Sequence, residues 1–116
     1  MFESFHLNVR EIDDILIIDT DGYINNTAGE EIADLCNKLI DSGKKKFLIN
    51  LAKSPVINSV GVSIFIEIIE KLQEVNGSIG YFNLVPIVKK TFNIMGLTKY
   101  SVIYESEEAA LSALKS

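Results

Sequence analysis

A switch of hydrophobic period between residues 46 and 75 constrains the fold of this chain more than any other feature. Phe47–Leu51 is mostly apolar, which is typical of a strand covered on both faces of a sheet. Ser54-Pro55 interrupts the run. From Ser59 to Val75 apolar residues recur at helical spacing, and Asn76-Gly77 ends the helix. A buried strand that leads into an amphipathic helix predicts a crossover unit and a parallel sheet.

The remaining segments extend this pattern. Two apolar strands near the amino end, separated only by Asp13-Asp14, predict an antiparallel hairpin. In the first of them Phe5, Leu7 and Val9 alternate with polar residues, which predicts a half-buried strand. Strand and helix patterns then alternate, which predicts the order β-β-α-β-α-β-α-β-α. This is an α/β fold with a mixed, mostly parallel β-sheet flanked by about four helices. The predicted strands span 5–12, 15–21, 47–51, 78–83 and 101–104.

Capping residues mark the first two helix starts. Thr27-Ala28-Gly29-Glu30 has the spacing of a capping box and predicts the start of the first helix. Asn58 or Ser59 is predicted to cap the second helix.

The last two helices are shorter. Pro86 suits the first turn of the third helix, which has a predicted apolar face of Val88, Phe92 and Met95. Ser106 is predicted to cap the final helix, whose first turn carries two acidic residues.

The composition limits the class of protein. The 116 residues, 47% of them hydrophobic, suffice for one domain, taken as 1–116. The net charge is −5, and the lysines are scattered apart from Lys44-Lys45-Lys46, which argues against nucleic-acid binding. No apolar run approaches the roughly 18 residues of a membrane span, and no signal peptide is evident. The single cysteine, Cys36, lies in an apolar stripe, so we expect a buried, unreactive thiol in a cytoplasmic protein.

Catalytic motifs are absent from the sequence. Neither GxGxxG nor GxxxxGK[ST] occurs, and no Cys/His spacing is typical of a metal site. His6, the only histidine, lies on the polar side of an early strand and is interpreted as a surface residue. Adjacent acidic residues such as Asp13-Asp14 do not face each other. We therefore expect no enzyme, no cofactor and no metal site.

Ser59 is the residue most suited to a regulatory role. It lies at a predicted helix N-terminus, where free backbone N–H groups and the positive end of the helix dipole meet. A phosphoryl group there would bring roughly −1.5 to −2 charge into a favourable field. The alternative interpretation is that Ser59 or Asn58 is only an N-cap, worth about 1 kcal/mol. Because such caps are common, the residue pattern of the helix start alone favours the role of an N-cap.

Several segments together resemble the STAS domain of bacterial anti-sigma factor antagonists. Besides the order of elements, they are Gly22, Phe47–Leu51, Asn58–Gly61, Ile94–Leu97 and Tyr104–Leu111. The resemblance covers nearly the whole chain. It implies a protein that binds an anti-sigma factor, usually a serine kinase, and so releases a sigma factor for transcription. It also implies that the kinase phosphorylates a residue at the start of the second helix, which weakens the complex, and that a phosphatase reverses this.

The resemblance assigns phosphorylation to Ser59. The family motif there is commonly Asp-Ser-Ser/Thr-Gly, with its first hydroxyl residue phosphorylated; Ser59 and Gly61 match it. Asn58 replaces the acid, Val60 replaces the second hydroxyl residue, and Asn25 stands where the family often has Asp. Amides hydrogen-bond but cannot act as bases, which predicts altered kinase recognition. Phosphoryl transfer nevertheless depends mostly on positioning and on the charges of the kinase.

A partner-binding surface is expected around this helix start. Val60 and Ile64 lie four residues apart outside the main apolar stripe and offer an apolar contact. Their alternative role is packing against a neighbouring loop or helix. A phosphate in such an interface would impose desolvation and repulsion costs. The predicted partner-binding residues are Asn25, Asn58, Ser59, Val60, Gly61, Ser63 and Ile64.

Two other functions compete with this one. The amides and Val60 are compatible with an adaptor or scaffold that is never phosphorylated, within a larger signalling assembly. The polar cluster Asn25-Asn26-Thr27 is compatible with a small-molecule binder or an enzyme that uses a pocket near the Gly22–Thr27 loop, although turn and cap roles also explain the cluster.

Overall fold

A computed structural model describes residues 4–115, and this part of the chain forms five strands and four α-helices. The order confirms the sequence-based prediction; a short 3₁₀ turn at Leu97–Lys99 was not predicted. The elements are β1 (His6–Ile12), β2 (Ile15–Asp21), α1 (Asn26–Asp41), β3 (Lys46–Lys53), α2 (Ser59–Glu74), β4 (Ser78–Phe82), α3 (Pro86–Ile94), β5 (Val102–Ile103) and α4 (Glu107–Lys115).

The five strands form one mixed sheet in the order β1-β2-β3-β4-β5. β1 pairs with β2 antiparallel as the predicted hairpin, and all other pairs are parallel. The helices α1, α2 and α3 each connect neighbouring parallel strands, which places them on one face of the sheet. The predicted α/β class is therefore confirmed.

Alternation along the strands divides the core into two layers. Leu16 and Ile18 of β2 belong to the larger cluster, which is shared with α1, α2 and α3. Ile15 and Ile17 point to the opposite face, where Ala110 of α4 packs. Because both faces of β2 are covered over its first four residues, Ile15–Ile18 is apolar without interruption.

Three exposures differ from the sequence-based prediction. Val9 of β1 remains 39% exposed, while Arg10 is half-buried because it forms ion pairs with Asp19 and Glu107. Met95 was assigned to the apolar face of α3 but is 44% exposed, because it follows the last helical residue as the C-cap.

The carboxyl ends of β2, β3 and β4 lie at the same end of the sheet, because these strands are parallel. The segments that lead into α1, α2 and α3 therefore meet at this end of the sheet. No helix in residues 4–115 is long and apolar enough to cross a membrane.

Candidate partner-binding site

Ser59 is the first residue of α2, and its side chain is exposed. The cap is Asn58, whose side-chain oxygen Oδ1 accepts a hydrogen bond from the backbone N–H of Gly61 at 2.8 Å. The structure thus resolves the two capping possibilities in favour of Asn58. The hydroxyl of Ser59 is left free of a capping role.

The start of α1 differs from the predicted capping box. The cap is Asn25, whose Oδ1 accepts a hydrogen bond from the N–H of Ala28 at 3.0 Å, and α1 begins at Asn26. Thr27 and Glu30 lie inside the helix, so the prediction of a box beginning at Thr27 was wrong. Three consecutive residues with cap-forming side chains made the position ambiguous in the sequence.

The two helix starts are joined directly. Ile24 and Ile57 form an isolated parallel bridge, and the N–H of Asn58 donates to the carbonyl of Ile24 at 3.1 Å. The side-chain amide of Asn58 also donates to Oδ1 of Asn26 at 3.1 Å. The structure therefore brings Asn25 and Asn58 to the same place, as the resemblance implied. It adds Asn26, which the sequence analysis had not assigned to partner binding.

Small residues allow the helices to approach at this point. A Cβ atom on Gly61 would lie 2.8 Å from the carbonyl oxygen of Ile24 and 2.9 Å from Cγ1 of Ile57. A Cβ on Gly29 of α1 would lie 3.0 Å from Cγ1 of Ile64. Gly61 is thus buried and shapes the site from beneath, while Ile64 packs against α1 and is half-buried.

The exposed part of the site has small polar and apolar groups. Ser63 is exposed, and its hydroxyl donates to the backbone carbonyl of Ser59 at 2.9 Å. Val60 is 40% exposed and faces away from the core. Of the pair Val60 and Ile64, therefore, Val60 is the more available for a partner.

Three further exposed apolar residues follow the parallel strands at the same end of the sheet: Tyr23 after β2, Val56 after β3 and Ile87 at the start of α3. The sequence analysis did not select them. They could have been found from the sequence, because a residue just beyond a parallel strand lies at the end of the sheet where the other parallel strands also end.

Neither α1 nor α2 has an acidic residue in its first turn. The positive end of the α2 dipole therefore acts on Ser59 without an opposing carboxylate in either first turn.

Groups associated with catalysis lie elsewhere. His6 is exposed on β1, as predicted. Cys36 is buried in α1, and burial raises the pKa of its thiol to about 12. Within residues 4–115, no group of three or more His, Cys, Asp or Glu side chains is placed to hold a metal ion.

A cavity lies next to the Gly22–Thr27 loop, since Asp21, which precedes Gly22, and Lys53, which hydrogen-bonds to Gly22, both line it. Its volume is about 390 Å³, and it includes no residue of the Gly22–Thr27 loop. Polar groups of β1, β2 and β3 surround it, including Asp19, Asn50 and Lys53. Asp19 and Asn50 already hydrogen-bond to each other at 2.8 Å.

Both the sequence and the fold resemble known proteins. The profile of the STAS domain family matches residues 6–110. BtrV of Bordetella bronchiseptica, named as a candidate anti-sigma factor antagonist, is 27% identical over 109 residues, which are 94% of each protein. A candidate anti-sigma factor antagonist from Thermotoga maritima superposes with a TM-score of 0.88 at 14% identity over 95% of each chain. Phosphorylated SpoIIAA of Bacillus gives a TM-score of 0.75 at 22% identity over 96% of this chain and 99% of that one. The two solved structures show likeness of fold.

Proposed function

The chain belongs to the STAS domain family, and we propose that it is an anti-sigma factor antagonist whose binding is switched off by phosphorylation of Ser59. The observation that carries the proposal is the position of Ser59. It presents an exposed hydroxyl at the first residue of α2, while Asn58 takes the capping role. BtrV, to which this chain is similar over nearly its full length, is named for the same class of function, which supports the proposal.

The neighbouring hydroxyl group of α2 is less suited to accept a phosphoryl group. Ser63 lies a full turn further along the helix, and its hydroxyl is bonded to the carbonyl of Ser59 at 2.9 Å. Val60 occupies the position next to Ser59 and carries no hydroxyl. A kinase that reaches the helix start therefore meets Ser59 first, and Ser63 provides a matched control.

The protein itself would tolerate the phosphate. A negative group at a helix N-terminus is stabilised by roughly 0.3–1 kcal/mol, and no acidic side chain in the first turns of α1 or α2 opposes it. We therefore expect phosphorylation to leave the fold intact and to act on the complex.

The partner would sense the phosphate through the surrounding surface. Val60 next to Ser59, Val56 after β3 and Ile87 after β4 are exposed apolar residues in the segments that follow the parallel strands. Such a surface suits an apolar patch on a partner. A group with roughly −1.5 to −2 charge in that interface must be desolvated, which opposes binding.

The partner of this proposal is an anti-sigma factor that is also a serine kinase, in the cytoplasm, without contact to nucleic acid or membrane. Asn25, Asn26 and Asn58 offer amides and cannot remove a proton from Ser59. The kinase must therefore supply the catalytic base and the metal ion. A phosphatase would restore binding.

Phosphate incorporation tests the switch. Wild-type protein, Ser59→Ala and Ser63→Ala would be incubated with lysate of the source cells and labelled ATP. We expect label on the wild type and on Ser63→Ala, and none on Ser59→Ala. If no variant is labelled while a STAS protein of known phosphorylation is labelled in parallel, the switch is refuted and the adaptor without phosphorylation takes its place.

Partner affinity tests the consequence. Against the purified anti-sigma factor, we expect Ser59→Ala to bind like the wild type and Ser59→Asp to bind at least about tenfold more weakly, a loss of roughly 1.4 kcal/mol. Ser63→Asp adds the same charge one turn away and should bind more tightly than Ser59→Asp. Equal affinities of Ser59→Ala and Ser59→Asp would contradict the mechanism.

A further inference from the structure

The two edges of the sheet differ in length. β5, at one edge, has two residues, whereas β1, at the other, has seven. The pairing of β1 with β2 is regular from His6–Asp21 to Ile12–Ile15, without a bulge. Among residues 4–115, no strand pairs with the outer side of β1. A long, regular edge of this kind presents free N–H and C=O groups to another strand.

Three of the usual protections of an edge strand, namely lysine, proline and a bulge, are missing from β1. Its sequence, HLNVREI, contains neither lysine nor proline. Its two charged residues bind to the rest of the chain: Arg10 to Asp19 and Glu107, and Glu11 to Lys44. Val9, near the middle of the strand, is 39% exposed.

The hairpin sets the direction of the free backbone groups. A turn of only Asp13-Asp14 joins Ile12 to Ile15, and the closing pair of such a hairpin is a hydrogen-bonded pair. Because the pairs alternate, Leu7, Val9 and Glu11 direct their N–H and C=O groups away from β2. These residues can donate and accept backbone bonds with an additional strand.

We propose that β1 is the interface of a homodimer, in which it pairs antiparallel with β1 of a second copy about a two-fold axis at Val9. Val9 then lies opposite the partner's Val9, Leu7 opposite the partner's Glu11, and Asn8 opposite the partner's Arg10. This register pairs all seven residues of the strand, and the exposed valines cover each other. The two five-stranded sheets become one continuous sheet.

The neighbouring registers that keep the same faces together are worse. A shift toward the amino end pairs only five of the seven residues and places Asn8 on the axis. A shift toward the carboxyl end also pairs five and places Arg10 opposite Arg10, and like charges directly opposite each other are destabilising.

The dimer is independent of the proposed switch at Ser59. α2 connects β3 and β4 in the interior of the sheet order, whereas β1 is at one edge. The dimer therefore leaves the start of α2 accessible. Since a single strand pair buries little surface, we expect weak association that depends on protein concentration.

Sedimentation of the wild type and two valine variants tests the interface. From micromolar to millimolar concentration, the wild-type mass should rise to twice that of the monomer. Val9→Lys should remain monomeric, because the edge then carries a lysine. Val102→Lys, on the other edge strand and 50% exposed, should dimerise like the wild type. A wild type that stays monomeric at millimolar concentration, or dimers retained in Val9→Lys, overturns the proposal.

Disulfide trapping tests the register. Under mild oxidation at dimer-forming concentration, Val9→Cys should yield a covalent dimer, because paired Cα atoms lie about 5.5 Å apart. Asn8→Cys should not, because two copies of residue 8 are offset along the strands beyond the roughly 7 Å that a disulfide spans. The wild type is the background control, since Cys36 is buried. Trapping of Asn8→Cys in preference to Val9→Cys refutes the proposed pairing.

Discussion

Replacing Gly61 by alanine is the sharpest test of how the two helix starts are packed. The added Cβ would lie 2.8 Å from the carbonyl oxygen of Ile24 and 2.9 Å from Cγ1 of Ile57. The Ile24 oxygen cannot retreat freely, because it accepts the 3.1 Å hydrogen bond from Asn58. Relief of the contact therefore requires that the start of α2 move away from the loop that carries Ile24.

The magnitude is the balance of two effects. Overpacking of this kind costs about 1–3 kcal/mol. Replacing glycine by alanine in a helix gains up to about 1 kcal/mol, and less in the first turn. We expect Gly61→Ala to lower the free energy of unfolding by about 1–2 kcal/mol.

Gly29→Ala is the matched control, because it adds the same methyl group on the facing helix. Its Cβ would meet Cγ1 of Ile64 at 3.0 Å, which is a side-chain contact. Ile64 is half-buried and can shift, while the helix-propensity gain remains. We expect its stability to stay within about 0.5 kcal/mol of the wild type.

Urea unfolding followed by circular dichroism measures both variants. The midpoint of Gly61→Ala should fall with an unchanged m-value, and that of Gly29→Ala should stay near the wild-type value. Phosphorylation of Gly61→Ala in lysate should also decrease, since the substitution displaces Asn58 and the acceptor. The packing argument is refuted if Gly61→Ala is as stable as the wild type.

The same urea assay checks further substitutions. Hydrogen bonds from Arg10 hold the pKa of Asp19 at about 2. The stabilisation that the ionised Asp19 carboxylate gives the folded state is complete above the unfolded pKa of about 3.9 and is lost as the pH falls through about 2. Allowing for solvent screening, we expect the free energy of unfolding of the wild type to fall by about 1 kcal/mol over this range, a fall that Asp19→Asn does not show. Asn58→Ala removes the cap of α2 and should cost about 1 kcal/mol, whereas Asn58→Asp keeps an acceptor and should stay within about 0.5 kcal/mol of the wild type.

The order of elements was predictable because each change of hydrophobic period is local. The apolar run 47–51, the interruption at Ser54-Pro55 and the helical spacing from Ser59 lie within thirty residues, and the structure has β3 and α2 there. The cap of α1 was not predictable in the same way. Asn25, Asn26 and Thr27 are all cap-forming residues, and the bridge between Ile24 and Ile57, 33 residues apart in sequence, decides among them.

The burial of Arg10 was also beyond local patterns. On alternation it belongs to the polar side of β1, where a solvated side chain is expected. In the structure it binds Asp19 and, 97 residues away, Glu107 at the start of α4. That pairing depends on α4 crossing the second face of the sheet, which no local pattern in the sequence specifies.

The amides around Ser59 explain how the site retains its geometry without the acids common in the family. Asn58 uses its oxygen to cap α2 and its nitrogen to reach Asn26, so one side chain both ends the loop and ties α2 to α1. A carboxylate could accept the first bond but could not donate the second. The amides therefore bring no charge to the acceptor site before modification, and Val60 leaves Ser59 as the hydroxyl at the helix start. If Ser59 is phosphorylated as proposed, the modified and unmodified surfaces differ by roughly −1.5 to −2 charge, which is the contrast that a partner-binding switch requires.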